Sequence, residues 1–279
     1  MADAIIQFVE RGLDRLAIHV YPERDTTGPV VVLLPGMGVP AAYYRRFASE
    51  LRREGISVAA ADWRGTGAST PSAGRTSRYG YADLTEDVGA VLAALQSRLS
   101  GRRVVLLGHS LGGQLGAIRL ATAGELSVAG LVLVACGIPY YKRFPHAGLA
   151  VLGVTRVIRG TSAALGYWPG SGFGGRQASG VIRDWAYTAR TGRFPILAGA
   201  DTDAAIAGMT TPVLAVSVSR DRFVPVPVVD YTMSRLAAAP VTRHHYTEAE
   251  SGAPMDHFTW VRASRRLATR VRAFIDSLA

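Results

Sequence analysis

The sequence predicts an α/β protein, with a mostly parallel central sheet, helices on both faces and an inserted, mainly helical cap. Three observations predict it. Short continuous apolar runs alternate with stretches of helical periodicity, which is how a parallel sheet covered on both faces reads. The length, 279 residues, suits one large domain carrying a modest insertion. The alternation also breaks off between residues 139 and 205, where glycines and aromatics crowd together and only helical fragments remain.

Leu13 to Tyr21 alternates in strand fashion, and Val30 to Leu34 is a continuous apolar run. Tyr43 to Glu54 reads as a helix, and Ser57 to Ala61 as a strand running into Asp62-Trp63-Arg64-Gly65-Thr66-Gly67. Leu84 to Leu99 carries Val88, Val91, Leu92 and Leu95 at helical spacing, with Thr85 and charged residues suited to its start. Val104 to Leu107 is the next strand, Gly113 to Ala123 the helix after it, and Leu131 to Ala135 a further strand. Inside the break, Ala147 to Arg159 and Val181 to Thr191 have helical patterning. Alternation resumes with a strand at Val213 to Val218, a helix near Pro227 to Ala238 and a strand at Val241 to Tyr246. An amphipathic helix from Phe258 to Leu278 closes the chain. Residues 1–138 and 206–279 are therefore expected to form the core domain, and 139–205 the cap.

Composition narrows the function classes. Apolar residues make up 48% of the chain, ample for a core and too many for a disordered segment. The net charge is +10 and almost all of it is arginine, with Lys142 the lone lysine. The arginines stand singly or in pairs, such as Arg45-Arg46 and Arg265-Arg266, mostly on predicted helix faces. No basic tract with interleaved aromatics is present, so a nucleic-acid partner is not expected. Cys136 is the single cysteine; it ends an apolar run and reads as a small buried core residue. Met1 to Glu10 carries acids and lacks the basic start of a signal peptide, and no window approaches the roughly 18 consecutive apolar residues of a membrane span. The expectation is a soluble cytoplasmic protein, a monomer or homodimer, without stable membrane insertion.

Chemistry enters at Gly108-His109-Ser110-Leu111-Gly112-Gly113, which follows the strand Val104 to Leu107 directly and opens a helix. A G-x-S-x-G pentapeptide in that setting has a mechanism. The serine takes a strained strand-to-helix turn that projects its oxygen above the sheet, and the flanking glycines leave no Cβ at the tight crossing. The helix aims its N-terminal amides at the site, where developing negative charge is favoured. Ser110 is thus the candidate nucleophile and the Leu111 N–H one candidate oxyanion donor. The other is the Met37 N–H, in the Pro35-Gly36-Met37-Gly38 loop that follows the buried strand Val30 to Leu34. A serine nucleophile needs a base, and the base an orienting acid. Asp221 lies just past the strand Val213 to Val218, and His257 lies immediately before the last helix. Asp256 belongs to the same turn as His257, a poor geometry for orienting it. His244 and His245 sit mid-strand, where alternation turns at most one of them inward. His109 lies inside the elbow and is better placed to pack beside the nucleophile than to act as base.

These residues carry a family resemblance. Over essentially its whole length the sequence resembles the α/β-hydrolase superfamily. Trp63-Arg64-Gly65-Thr66-Gly67-Ala68-Ser69 is similar to its D-x-R-G-x-G-x-S stretch, Asp221 to Pro225 to the D-x-x-V-P around its acid, and Asp256-His257-Phe258 to its histidine turn. Within it, Trp185 to Phe194 resembles a bacterial group of predicted α/β hydrolases related to serine aminopeptidases and lysophospholipase-like esterases. The resemblance implies a Ser110–His257–Asp221 triad, a backbone oxyanion hole and an acyl-enzyme, with no metal and no organic cofactor. The sequence departs from many relatives at Pro35-Gly36, where they have His-Gly, and at Ser219, where a glycine often precedes the acid.

The cap aromatics Tyr140, Tyr141, Phe144, Tyr167, Trp168, Phe173, Trp185 and Tyr187 suggest an apolar acyl pocket. Gly36, His109, Tyr140, Trp168 and Trp185 are the candidate substrate contacts, and a small molecule with an apolar acyl group is the expected partner. The cap offers few acids to hold a substrate amine, chiefly Asp184, Asp201 and Asp203, which favours ester or thioester over peptide cleavage. The alternative is a non-hydrolytic catalyst or binding module built on the same fold.

Overall fold

The computed structural model describes residues 4–23, 25–124 and 127–278. The chain opens with β1 (Ile5–Arg11), β2 (Asp14–Val20) and β3 (Val30–Leu34), then α1 (Arg45–Arg53) and β4 (Ser57–Ala61). It continues through α2 (Tyr81–Ala94), α3 (Gln96–Leu99), β5 (Val104–His109), α4 (Leu111–Ala123) and β6 (Val128–Val134). Next come α5 (Gly148–Leu165), the two-residue strands β7 (Tyr167–Trp168) and β8 (Gln177–Ala178), α6 (Ser179–Thr191) and α7 (Thr202–Gly208). The last elements are β9 (Val213–Val218), α8 (Val226–Met233), β10 (Val241–Tyr246), α9 (Glu248–Ser251) and α10 (Arg265–Asp276).

The main sheet has eight strands in the order β1-β2-β4-β3-β5-β6-β9-β10. β2 pairs antiparallel with β1 and with β4, and every pairing from β4 across to β10 is parallel. The central strands β3, β4, β5 and β9 are buried at every residue, in keeping with their largely apolar sequences. Alternate side chains of β3 feed two cores. Val30, Val32 and Leu34 pack with Leu84 and Val88 of α2 and Leu115 and Ile118 of α4. Val31 and Leu33 pack with Phe47 and Leu51 of α1 and Leu267 and Val271 of α10. The α/β class with helices on both faces is therefore as the sequence predicts. The chain turns from β3 to β4 on one side and then crosses back to β5 on the other. That reversal opens a crevice at the carboxyl ends of β3 and β5, where ligand sites of such sheets lie.

Several elements differ from expectation. β1 has no counterpart in the sequence reading: Ile5, Ile6 and Phe8 are exposed, and its inward face, Gln7, Val9 and Arg11, is only half-buried. Its support is the seven-residue pairing with β2. The helix expected at Leu84 to Leu99 starts earlier, at Tyr81, and breaks into two at Leu95. The closing helix is likewise broken, into a 3-10 turn at Thr259–Ala263 and α10, with Trp260 fully buried at the break. α5 runs six residues past Arg159, to Leu165, where Gly166 at φ 80° ends it. The expected boundary at residue 205 falls inside α7, a single helix that packs on α4.

Candidate active site

The turn between β5 and α4 sets the geometry. Ser110 occupies it with φ 51° and ψ −119°, a backbone conformation that side-chain-bearing residues rarely adopt. The turn survives because its neighbours are glycines. A Cβ on Gly108 would collide with Gly113, and one on Gly112 with the carbonyls of Leu34 and Pro35. The close approach of Gly112 brings the start of α4 against the loop after β3. Neither Met37 nor Leu111 gives its N–H to a partner among the described residues, and both residues line the same cavity as Ser110.

Asp221 follows β9 and is buried, with its two carboxylate oxygens divided between tasks. Oδ1 accepts the N–H groups of Phe223 at 2.9 Å and Val224 at 2.8 Å. Oδ2 faces Nδ1 of His257 at 2.8 Å. An ionised carboxylate only accepts, so Nδ1 carries the proton and Nε2 of the neutral ring is left bare. The His257 ring is walled by Phe223, Phe258 and His109, at centroid distances of 5.3, 4.8 and 4.8 Å. Asp256 takes no part in this: its Oδ1 accepts from the N–H of Phe258 and from the N–H and hydroxyl of Thr259, which shapes the turn. His244 and His245 lie on β10, and His245 meets Ser217 at 2.9 Å instead.

A buried relay ties the three loops together. The Gly36 N–H donates to the Tyr44 hydroxyl at 2.9 Å, which stands 2.6 Å from Nδ1 of His109, and Nε2 of His109 lies 2.9 Å from the His257 carbonyl. A carbonyl only accepts, so His109 is protonated at Nε2 and its Nδ1 takes the Tyr44 proton. Every donor then has one acceptor, provided that His109 is neutral. Burial, and after it the nearby His257, hold its pKa well below the ordinary histidine value, although the bond to the His257 carbonyl works the other way.

That depression has a consequence for stability. The unfolded chain protonates this histidine near pH 6.5. Below that pH, and above the folded pKa, the unfolded state binds the extra proton, so stability falls as pH falls, by up to about 1.4 kcal/mol per pH unit. Urea unfolding from neutral pH to about pH 5 is expected to show this slope, and His109→Gln to flatten it. An unchanged slope in the variant would place the acid sensitivity elsewhere.

Ser110, His257, Gly36, Met37 and Leu111 line one cavity of about 390 Å³. Its walls are mainly apolar: Phe144, Val151, Val154 and Ile158 on or before α5, Phe173, Trp185, Phe223 and Phe258. Gln114, Thr155 and Arg222 are polar members, and among the described residues no Asp or Glu lines it. Of the expected substrate contacts, Gly36 and Trp185 reach the cavity and three do not. His109 is wholly buried beneath it, held in the relay. Tyr140 turns away to pack on Tyr141 and Tyr231. Trp168 is buried with its indole N–H on the Phe173 carbonyl at 2.7 Å, which positions Phe173 instead. The α5 wall and Phe223 were not foreseen.

The second loop wall is set by Asp62, just after β4. Its carboxylate accepts the N–H of Ala41 at 2.6 Å and of Ala68 at 2.9 Å and meets Nε2 of His19 at 2.9 Å. The Trp63 indole N–H donates to the Pro35 carbonyl at 2.7 Å. The stretch Trp63 to Ser69 thus braces the loop that carries Met37. Cys136 is buried, and burial pushes its thiol well above the ordinary range.

Comparison with known proteins agrees with this architecture. Residues 26–164 match the family described as serine aminopeptidase, S33. RutD of Variovorax paradoxus (strain S110) is 35% identical over 119 residues, 43% of this chain and 42% of the relative, so the match spans less than half the length of that protein. Among solved structures, a soluble variant of monoglyceride lipase from Saccharomyces cerevisiae superimposes with a TM-score of 0.73 at 15% identity, over 99% of this chain and 96% of the other. The esterase RhEst1 from Rhodococcus sp. ECU1013 does so with a TM-score of 0.63 at 22% identity, over 98% and 99%. At such identities these likenesses speak for the fold. The chain thus has the fold of the α/β hydrolases, and residues 26–164 of its 279 are similar to the serine aminopeptidase family.

Proposed function

We propose that the protein is a serine hydrolase that cleaves a carboxylic ester or thioester of an apolar acyl group through an acyl-enzyme on Ser110. One observation carries this reading: the elbow serine and a histidine already held by a buried carboxylate line the same apolar cavity. Ser110 Oγ attacks the acyl carbon while Nε2 of His257, the ring nitrogen left bare by the bond to Asp221, takes its proton. The Met37 and Leu111 N–H groups receive the oxyanion. His257 returns the proton to the leaving group, then activates water to release the acid. Residues 139–205 serve as the cap, with α5 forming one wall of the acyl pocket. Peptide cleavage from a free amino terminus fits less well, because among the described residues no carboxylate lines the cavity to hold a substrate ammonium.

Two measurements test the reading. Exposure to a fluorophosphonate, followed by peptide mass spectrometry, is expected to place a single adduct on Ser110; absence of labelling would overturn the assignment. A p-nitrophenyl ester series then reads the pocket. Val151→Phe adds volume to the α5 wall and is expected to move the optimum to shorter acyl chains, lowering kcat/KM for the longest by about tenfold or more. An unmoved optimum would show that the acyl chain lies elsewhere.

A further inference from the structure

α5 presents an unpartnered apolar face to solvent. At 3.6 residues per turn its exposed residues from Leu149 round to Leu165 cover an arc of about 160° that carries no charge. Leu149 is 81% exposed, Val157 67% and Val154 56%, with glycines and alanines between them. Val154 also lines the cavity that holds Ser110, so this face runs into the mouth of the pocket. Phe223, 44% exposed and tilted against the His257 ring, stands at the same mouth.

The surrounding sequence is basic, although Arg183 is paired with Asp184 at 2.9 Å. From residue 127 to residue 183 the sequence holds no Asp or Glu, but Lys142, Arg143, Arg156, Arg159, Arg176 and Arg183. One edge of the apolar face is bounded by a groove between α5 and α6 lined by Arg156, Arg159, Arg183 and Arg190. Arg156 and Arg159 have no ion-pair partner among the described residues.

We infer that the outer face of α5 docks on an anionic lipid surface, inserting Leu149, Val154 and Val157 while the flanking arginines meet the headgroups. An apolar helix face edged by arginines is the pattern of a helix that lies in a membrane interface. A second copy of the chain is disfavoured, because symmetric pairing would set like charges against one another. An acidic protein would satisfy the arginines, but the apolar arc offers it neither a pocket nor a hydrogen-bonding group. Docking in this pose turns the pocket mouth towards the lipid, so that an amphiphilic ester can pass from the surface to Ser110. Delivery of the ester to Ser110 rests on the hydrolase reading; the docking itself does not.

The test is co-sedimentation of the full chain with vesicles of phosphatidylcholine alone and of an equal mixture of phosphatidylcholine and phosphatidylglycerol. The wild type is expected to bind the anionic vesicles, more weakly as salt rises, and to leave neutral ones largely unbound. Leu149→Glu with Val157→Glu, neither of which lines the cavity, is expected to weaken binding by about tenfold or more. Its turnover of p-nitrophenyl butyrate should stay at the wild-type level, which also reports an intact fold. Failure of the wild type to bind anionic vesicles would overturn the inference. So would equal retention of wild type and variant on immobilised polyglutamate with vesicles ignored, the behaviour of a site for an acidic protein. Vesicle binding without ester turnover by the wild type would sustain the docking and sink the hydrolase reading.

Discussion

Ser110→Ala is expected to lower kcat for a p-nitrophenyl ester by on the order of 10⁴- to 10⁶-fold and to abolish fluorophosphonate labelling. The size follows from what the residue is proposed to do: without the hydroxyl no acyl-enzyme forms, and only oxyanion binding to Met37 and Leu111 remains. Stability should change little. Alanine at φ 51° carries the same strain as serine, and no hydrogen bond of the Ser110 hydroxyl to another described side chain is lost. Initial rates together with a urea unfolding curve separate the two effects. A variant that keeps more than about a tenth of the rate would sink the assignment of Ser110 as nucleophile.

Asp221→Asn comes second, with an expected loss of about 10⁴-fold in kcat near neutral pH. The asparagine oxygen can keep the amides of Phe223 and Val224, now held at 2.9 and 2.8 Å. Its NH2 then faces Nδ1 of His257, and two donors cannot share that contact. The ring must switch its proton to Nε2, the nitrogen that has to receive the one from Ser110. Asp256→Asn is the matched control, because Asp256 holds Thr259 and Phe258 rather than the imidazole; it should stay within about tenfold of the wild type. An Asp256→Asn loss as deep as that of Asp221→Asn would reverse the roles of the two acids.

The parts of the site visible in the sequence are those with a steric or topological signature. Gly108 and Gly112 are legible because a Cβ at either would collide with backbone, so the elbow can be written in few ways. β3, β5 and β9 are legible because a strand covered on both faces is apolar over most of its length, as in Val30 to Leu34, Val104 to Leu107 and Val213 to Val216. Asp221 and His257 follow from chain order and from their places after β9 and before the closing helix. The cavity lining was less visible. Tyr140 and Trp168 are aromatic residues in the right segment, yet they pack outward or support a neighbour. Phe223 and the α5 valines, which do form walls, carry no sequence mark that separates a pocket from ordinary packing.

By itself, then, the sequence determined the α/β class, the strained turn at Ser110 and the order of the three candidate catalytic residues. Each of these is imposed by constraints that act locally or through simple periodicity: forbidden backbone angles, missing Cβ atoms, buried runs. Only the tertiary structure decided that Tyr44 and His109 link Gly36 to His257, residues separated by 221 positions in the chain. It alone decided that α5 turns one side to the pocket and leaves another bare. These depend on which segments meet after long crossovers, and no local pattern encodes the meeting point of two loops carried by different strands.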